Sequence, residues 1–215
     1  MKALNTYINE KLVLNKNTFK KPDYKYFPKT RIELKKITEQ LIKERKNHDV
    51  IDLNDIDTSE ITDMSKLFYN MDIKKIDISG WDVSNVKEMA FMFYHCENLT
   101  DIGDISRWNV SEVETISYMF SNCSNLKSIS DLSSWDISSV GDISGMFAYC
   151  KNLESVGDLS SWDVSDVEYM IYMFYKCAKL KDIGDISDWN ISDVNETDGM
   201  FTDSGIKNKP SWYKQ

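Results

Sequence analysis

The apolar positions of this chain keep a fixed register. Trp81, Trp108, Trp135, Trp162 and Trp189 fall 27 residues apart. The same step carries Phe93, Phe120, Phe147, Phe174 and Phe201, each preceded by a Met, and also Cys96, Cys123, Cys150 and Cys177. Self-similarity at a fixed step of 20–50 residues is the mark of a repeat array. Written once, the unit is Trp-Asp-Val-Ser-x-Val-x-x-Met-x-x-Met-Phe-x-x-Cys-x-Asn-Leu-x-x-Ile-Gly-Asp-Ile-Ser-x. Ile56-Asp57-Thr58-Ser59 opens a first unit of 25 residues, with Ile in place of Trp. The last unit stops after Met200-Phe201, where Ser204 stands in the Cys position and Ile206, Trp212 and Tyr213 are positioned to close the far end.

Within a unit, Val86-x-x-Met89 and Leu99-x-x-Ile102-x-x-Ile105 are short apolar runs between turn residues and predict short strands. Met92-Phe93-x-x-Cys96 has the close spacing of one helical or 3₁₀ turn. Trp81-Asp82-Val83-Ser84 predicts a corner, with Asp or Asn at 82, 109, 136, 163 and 190 holding an Asx turn to the Ser two residues on. Asn98, Asn125 and Asn152 are expected to satisfy backbone groups at another corner, Lys179 breaking that column. The architecture predicted is a solenoid of short stacked strands and short helical turns.

Ahead of it, Thr30-Arg31-Ile32-Glu33 matches the capping box. Ile32, Ile37, Leu41 and Ile42, with Leu34 alongside, continue as an amphipathic helix to about Lys46. A solenoid needs its first turn covered, because an exposed end leaves apolar surface and unpaired strand edges. This helix is therefore expected to be an N-terminal cap. Upstream, Leu4, Ile8 and Leu12, with Tyr7, form a short stripe at helical spacing, followed by a polar, basic linker with breakers at Pro22 and Pro28. The organisation expected is 1–28 docking segment and linker, 29–50 capping helix, 51–205 solenoid, and 206–215 closing tail.

Charge adds a division. Residues 1–50 hold 13 Lys/Arg against 6 Asp/Glu, a balance of +7, and residues 51–215 hold 13 against 29, a balance of −16, giving the net −9. An acidic body argues against nucleic acid, whose affinity rests on neutralised phosphates. The basic leader has either an acidic partner or its own body to contact. No apolar run has the length of a signal peptide core or a membrane span, so a cytoplasmic or assembly-associated chain is expected. One Cys per unit at one phase predicts a stacked column of buried, reduced thiols, although neighbours at roughly 4.8 Å are close enough to pair.

The string Met-Phe-x-x-Cys-x-Asn-Leu-x-x-Ile, followed by Ser-x-Trp-Asp-x-Ser-x-Val-x-x-Met, resembles the BspA-like leucine-rich repeat of mycoplasma and other bacterial surface proteins. The resemblance covers about residues 56–205. It implies a leucine-rich-repeat fold and binding rather than catalysis, with adhesion as one role among relatives. The leader around Lys-Tyr-Phe-Pro-Lys-Thr is similar to leaders on such repeats in phage and prophage genomes, which implies a virion component as an alternative.

No catalytic constellation accompanies the repeats. His48 and His95 are the only histidines and neither recurs. The cysteines lack a CxxC pairing, and Gly103, Gly157 and Gly184 are isolated, so they mark turns rather than a phosphate cradle. The column Asp104, Asp131, Asp158 and Asp185 is read as turn-capping rather than calcium-binding, because the Gly-Gly-x-Gly-x-Asp pattern is absent. No cofactor or metal is expected. The informative positions are those that vary on a fixed frame: Phe91, Tyr118, Gly145, Tyr172 and Gly199, then Tyr94, Ser121, Ala148, Tyr175 and Thr202, with Tyr149 and Tyr169 nearby. Aromatic side chains on a rigid surface are favoured anchors for protein partners. Phe91, Tyr94, Tyr118, Tyr149, Tyr169, Tyr172 and Tyr175 are thus the candidate protein-binding residues, with Leu4, Tyr7, Ile8 and Leu12 as candidates for docking the N-terminal segment.

Overall fold

The computed structural model describes residues 23–214, so the docking candidates Leu4, Tyr7, Ile8 and Leu12 lie outside the described residues. The first element is α1 (Arg31–Arg45), capped by Thr30 in extended backbone. The Glu33 amide donates to Thr30 Oγ1 at 3.2 Å. The Glu33 carboxylate does turn back, but it accepts the amide of Lys29 at 2.7 Å, one residue before the cap. The buried stripe is Leu34, Thr38 and Leu41. Ile32, expected in that stripe, is 64% exposed, because two residues from Leu34 is about 200° around a helix of 3.6 residues per turn.

The helix contacts β1 (Ile51–Asp52), which pairs in parallel with β2 (Ile76–Asp77). The basic N-terminal region meets the chain's own acids. Arg31 pairs with Asp63 at 3.0 Å, Lys25 with Asp55 at 3.3 Å, and Lys29 with Glu60. Arg45 holds Asp55 with two bonds of 3.1 and 2.7 Å, which depresses the Asp55 carboxyl below its ordinary value.

Beyond β2 the backbone departs from the expected strands and helical turn. Val83, Val86, Met89 and Met92, then Cys96, Leu99, Ile102, Ile105 and Trp108, are all buried. A three-residue spacing fits neither the alternation of a strand nor the 3.6-residue period of a helix. It fits tight turns: Val86 donates to the carbonyl of Val83 at 2.9 Å, Met92 to Met89 at 3.2 Å, Cys96 to Phe93 at 3.0 Å, and Leu99 to Cys96 at 3.0 Å. The amides between them donate to the next turn of chain. Met89 reaches Thr115 at 3.1 Å, Phe91 reaches Ser117 at 2.9 Å, Phe93 reaches Met119 at 2.8 Å, and His95 reaches Ser121 at 2.9 Å. Each turn is closed on itself and zipped to its successor. Extended pairing survives as single parallel bridges, in the column Asp63, Glu88, Thr115, Asp142, Tyr169 and Glu196 and, within the predicted Leu99–Ile105 strand run and its repeats, at Lys75–Asp101 and Ser128–Ser155.

Three ladders fill the interior. Phe68, Phe93, Phe120, Phe147, Phe174 and Phe201 stack nearly parallel with centroids 5.0 to 5.9 Å apart. The four cysteines are free and buried, and each thiol donates to a carbonyl of the preceding turn, as Cys150 does to Phe120 at 3.0 Å. Burial pushes the Cys96 and Cys177 thiols up to about 12, so they stay protonated and inert. Trp81, Trp135, Trp162 and Trp189 each donate Nε1–H to a carbonyl of the turn below, and Trp212 extends the column by stacking on Trp189 at 6.3 Å. Trp108 Nε1 is buried without a partner. It follows the junction where a 25-residue turn meets a 27-residue one: there the bridge Lys75–Asp101 steps by 26 residues, against 27 for Ser128–Ser155.

The Asx corners form as the sequence predicts, Ser84, Ser138 and Ser165 donating their amides to Asp82, Asp136 and Asp163 at 3.0 to 3.2 Å. The Asn column divides. Asn152 donates to the Ser124 carbonyl at 2.8 Å, whereas Asn98 and Asn125 reach the side chains of Asp72 and Asn98 at 2.8 and 3.5 Å, linking turns instead of capping backbone.

Candidate partner-binding site

The first variable column and the column four residues after it share a backbone feature. Lys66, Phe91, Tyr118, Gly145, Tyr172 and Gly199 all have positive φ, between 54° and 64°. So do Asn70, His95, Asn122, Tyr149, Lys176 and Asp203, between 56° and 63°. Standing four residues apart in each turn, these left-handed residues interrupt the backbone so that successive tight turns do not run on into a helix. Glycine, Asn and Asp accept this conformation readily, whereas bulky residues adopt it under strain. Phe91, Tyr118, Tyr149 and Tyr172 therefore occupy positions that the backbone would more readily give to Gly or Asn.

Those rings gather into two clusters. Upstream, Tyr69 stacks on Tyr94 at 5.1 Å, Phe91 stacks on Tyr118 at 5.1 Å, and Phe91 meets Tyr94 edge-on at 5.4 Å. Downstream, Tyr175 is edge-on to both Tyr149 and Tyr172 at 5.1 and 5.2 Å. The clusters flank a cavity of about 300 Å³, walled by Tyr94 and Tyr118 on one side and Tyr149, Tyr172 and Tyr175 on the other. Its floor is Ser121 and Ala148, each 2% exposed. Gly145 helps keep it open. The Tyr118 ring lies where a Cβ on Gly145 would be, and the Tyr172 ring lies likewise on Gly199.

Five of the seven aromatic candidates thus line one cavity. Phe91 backs Tyr118 from behind, and Tyr169 belongs to the bridge column, 41% exposed and away from the cavity. The floor residues Ser121 and Ala148 belong to the second variable column of the sequence but are not among its aromatic candidates, and Asn122 also lines the cavity. The signal for the site was present as Gly, Asn and Asp recurring in the same two columns as the aromatics, the composition of left-handed positions.

The cleft is lined by uncharged side chains in an acidic body. Burial raises the Tyr118 phenol, with the Asp142 carboxylate adding to it. Two lysines already lie on rings at the site's margins: Lys66 Nζ is 5.5 Å from the Phe91 centroid, and Lys176 Nζ is 5.2 and 5.0 Å from those of Tyr149 and Tyr175. The remaining sequence candidates have structural places. Asp104, Asp158 and Asp185 accept the amides of Ser106, Ser160 and Ser187 at 2.9 to 3.0 Å. The hydroxyls and amides of these serines together hold the carboxyls below the ordinary value, the hydroxyl foremost at Asp104 and Asp185 and the amide foremost at Asp158. His95 packs on Tyr94, with Nδ1 at 3.4 Å from Glu97. Among the described residues no group of three or more His, Cys, Asp or Glu could hold a metal, and no helix is long and apolar enough to cross a membrane. A larger hollow of about 810 Å³ beside Ile186, Ile206 and Pro210 has no converging aromatic or paired titratable groups.

Comparison with known proteins decides the family. The family model described as "Mycoplasma protein of unknown function, DUF285" matches residues 36–155 and 125–212. The chain belongs to this family. DUF285 members carry the BspA-like leucine-rich repeat. Among solved structures, the chain is similar to a leucine-rich repeat protein from Eubacterium ventriosum ATCC 27560, at 23% identity and a TM-score of 0.50. The likeness covers 76% of this chain but only 40% of that one, and at this identity it speaks for the fold alone. No curated protein matches the chain.

Proposed function

We propose that this DUF285 chain is a non-enzymatic protein-binding module, a rigid solenoid capped by α1 that presents the Tyr94–Tyr118–Tyr149–Tyr172–Tyr175 cleft to a protein partner. One observation carries this reading. Tyr118 and Tyr172 have left-handed backbone, with φ of 54° and 57°, and the same column functions structurally with Gly at 145 and 199. Strain of about 1–3 kcal/mol per bulky residue that the packing does not require is the kind a functional surface retains. The Leu/Ile/Phe interior is complete without these rings, and aromatic anchors around a small cavity are the usual core of a protein interface.

The test uses the full chain as bait in its native source, beside a Tyr118→Asn/Tyr172→Asn variant. Asn accepts left-handed backbone, so the variant is expected to keep the wild-type melting temperature. A partner retained by the wild type and lost from the folded variant supports the reading. Equal retention by both overturns it.

A further inference from the structure

The column through Lys66, Phe91, Tyr118, Gly145, Tyr172 and Gly199 contains its own template for a ligand. At its start the Lys66 side chain crosses to the next turn and places Nζ 5.5 Å from the centroid of Phe91. The residue one turn before Tyr172 is Gly145, which has no side chain to make that crossing. The face of Tyr172 corresponding to the one Lys66 covers on Phe91 is left bare. The cavity lies there, opposite the Tyr118 ring. Lys176 repeats the preference, with Nζ near the Tyr149 and Tyr175 rings on the downstream margin. Rings on this face thus take cations twice from within the chain. The surrounding body, residues 51–215, has 29 Asp/Glu against 13 Lys/Arg.

Resting on the partner-binding reading above, we propose that the cleft between Tyr118 and Tyr172 receives a lysine or arginine side chain from a basic segment of the protein partner. The cation lies between the two ring systems in the place that a side chain at position 145 leaves open. Its aliphatic stem runs over Ala148 and Ser121. The acidic body supplies long-range attraction, and the rings supply the local preference for a cation, which strengthens as the site is desolvated. A cavity of about 300 Å³ is the lower end of the range for small-ligand pockets and suits a single side chain.

The test is calorimetric titration of the full chain with Gly/Ser peptides of equal length that carry arginine, lysine or the neutral isostere citrulline. Arginine and lysine peptides should bind saturably, with citrulline weaker by about tenfold or more. The Tyr118→Asn/Tyr172→Asn variant should lose that binding at an unchanged melting temperature. These substitutions leave the protein's charge untouched, so equal binding by the variant would assign the attraction to diffuse acidity and overturn the proposal. Tyrosine-dependent binding of citrulline or proline-rich peptides as strong as that of arginine would also overturn it, while leaving the partner-binding reading intact. Absence of binding by every peptide overturns the cation proposal, and the pull-down decides the broader reading separately.

Discussion

The inner phenylalanine column and the outer left-handed column of this molecule obey opposite rules. The inner column is Phe at all six turns, fully or almost fully buried, and absent from the left-handed residues. The outer column reads Lys, Phe, Tyr, Gly, Tyr, Gly and is left-handed at all six turns. The inner positions are fixed by side chain, because each ring is a slice of the core against both neighbours. The outer positions are fixed by backbone only. The fold demands the positive φ there and accepts Lys, Phe, Tyr or Gly as the side chain.

The largest effect expected is on the inner column. Phe147→Ala removes a ring stacked on both Phe120 and Phe174, at 5.8 and 5.9 Å, and should cost about 3–5 kcal/mol in urea unfolding. A loss under about 1 kcal/mol would mean that neighbouring turns close over the gap and that the ladder is not what holds them together.

The next effect lies where the columns differ. Gly145→Ala introduces a Cβ into the space of the Tyr118 ring at a φ of 57°, and should cost about 2 kcal/mol. Repeating it in a Tyr118→Asn background removes the collision and leaves only the backbone strain, so the cost should fall by about 1 kcal/mol. Additive costs would show that the Tyr118 ring does not rest on Gly145, and the cavity would lose one wall.

The division also explains what could be read from the sequence. The Trp, Phe and Cys columns, the Asx corners and the buried thiols follow from one period and from local turn chemistry, and these features are in the structure. The unit's internal conformation was not legible. In the series Val83, Val86, Met89 and Met92, apolar residues three apart, Val86 and Met89 read as a strand because nothing in the sequence shows that an intervening amide, such as that of Phe91, finds its partner one turn away. The run Leu99, Ile102, Ile105, by contrast, does flank an extended bridge at Asp101. The cavity was half legible: its aromatics and its floor of Ser121 and Ala148 stood in the variable columns, but nothing distinguished the small residues as a floor. Their role depends on Tyr118 and Tyr172 leaning in one direction along the column, which spacing alone does not encode. The unpartnered Trp108 Nε1–H, in a column whose other members donate, has no counterpart signal in the repeat itself.

The smallest effect expected separates the two columns most sharply. Tyr172 is 42% exposed and left-handed. Replacing it by Asn gives up its edge-on contact with Tyr175, an aromatic pair of about 0.5–1.5 kcal/mol at most. In return it relieves left-handed strain of about 1–2 kcal/mol. The two nearly cancel, and the unfolding free energy should move by no more than about 0.5 kcal/mol, in either direction. Loss of more than about 2 kcal/mol, near the cost of a core deletion, would make Tyr172 a structural residue and dissolve the distinction between inner and outer columns. A near-zero change, with partner capture lost, would mean that this tyrosine is held in a strained conformation for what it binds.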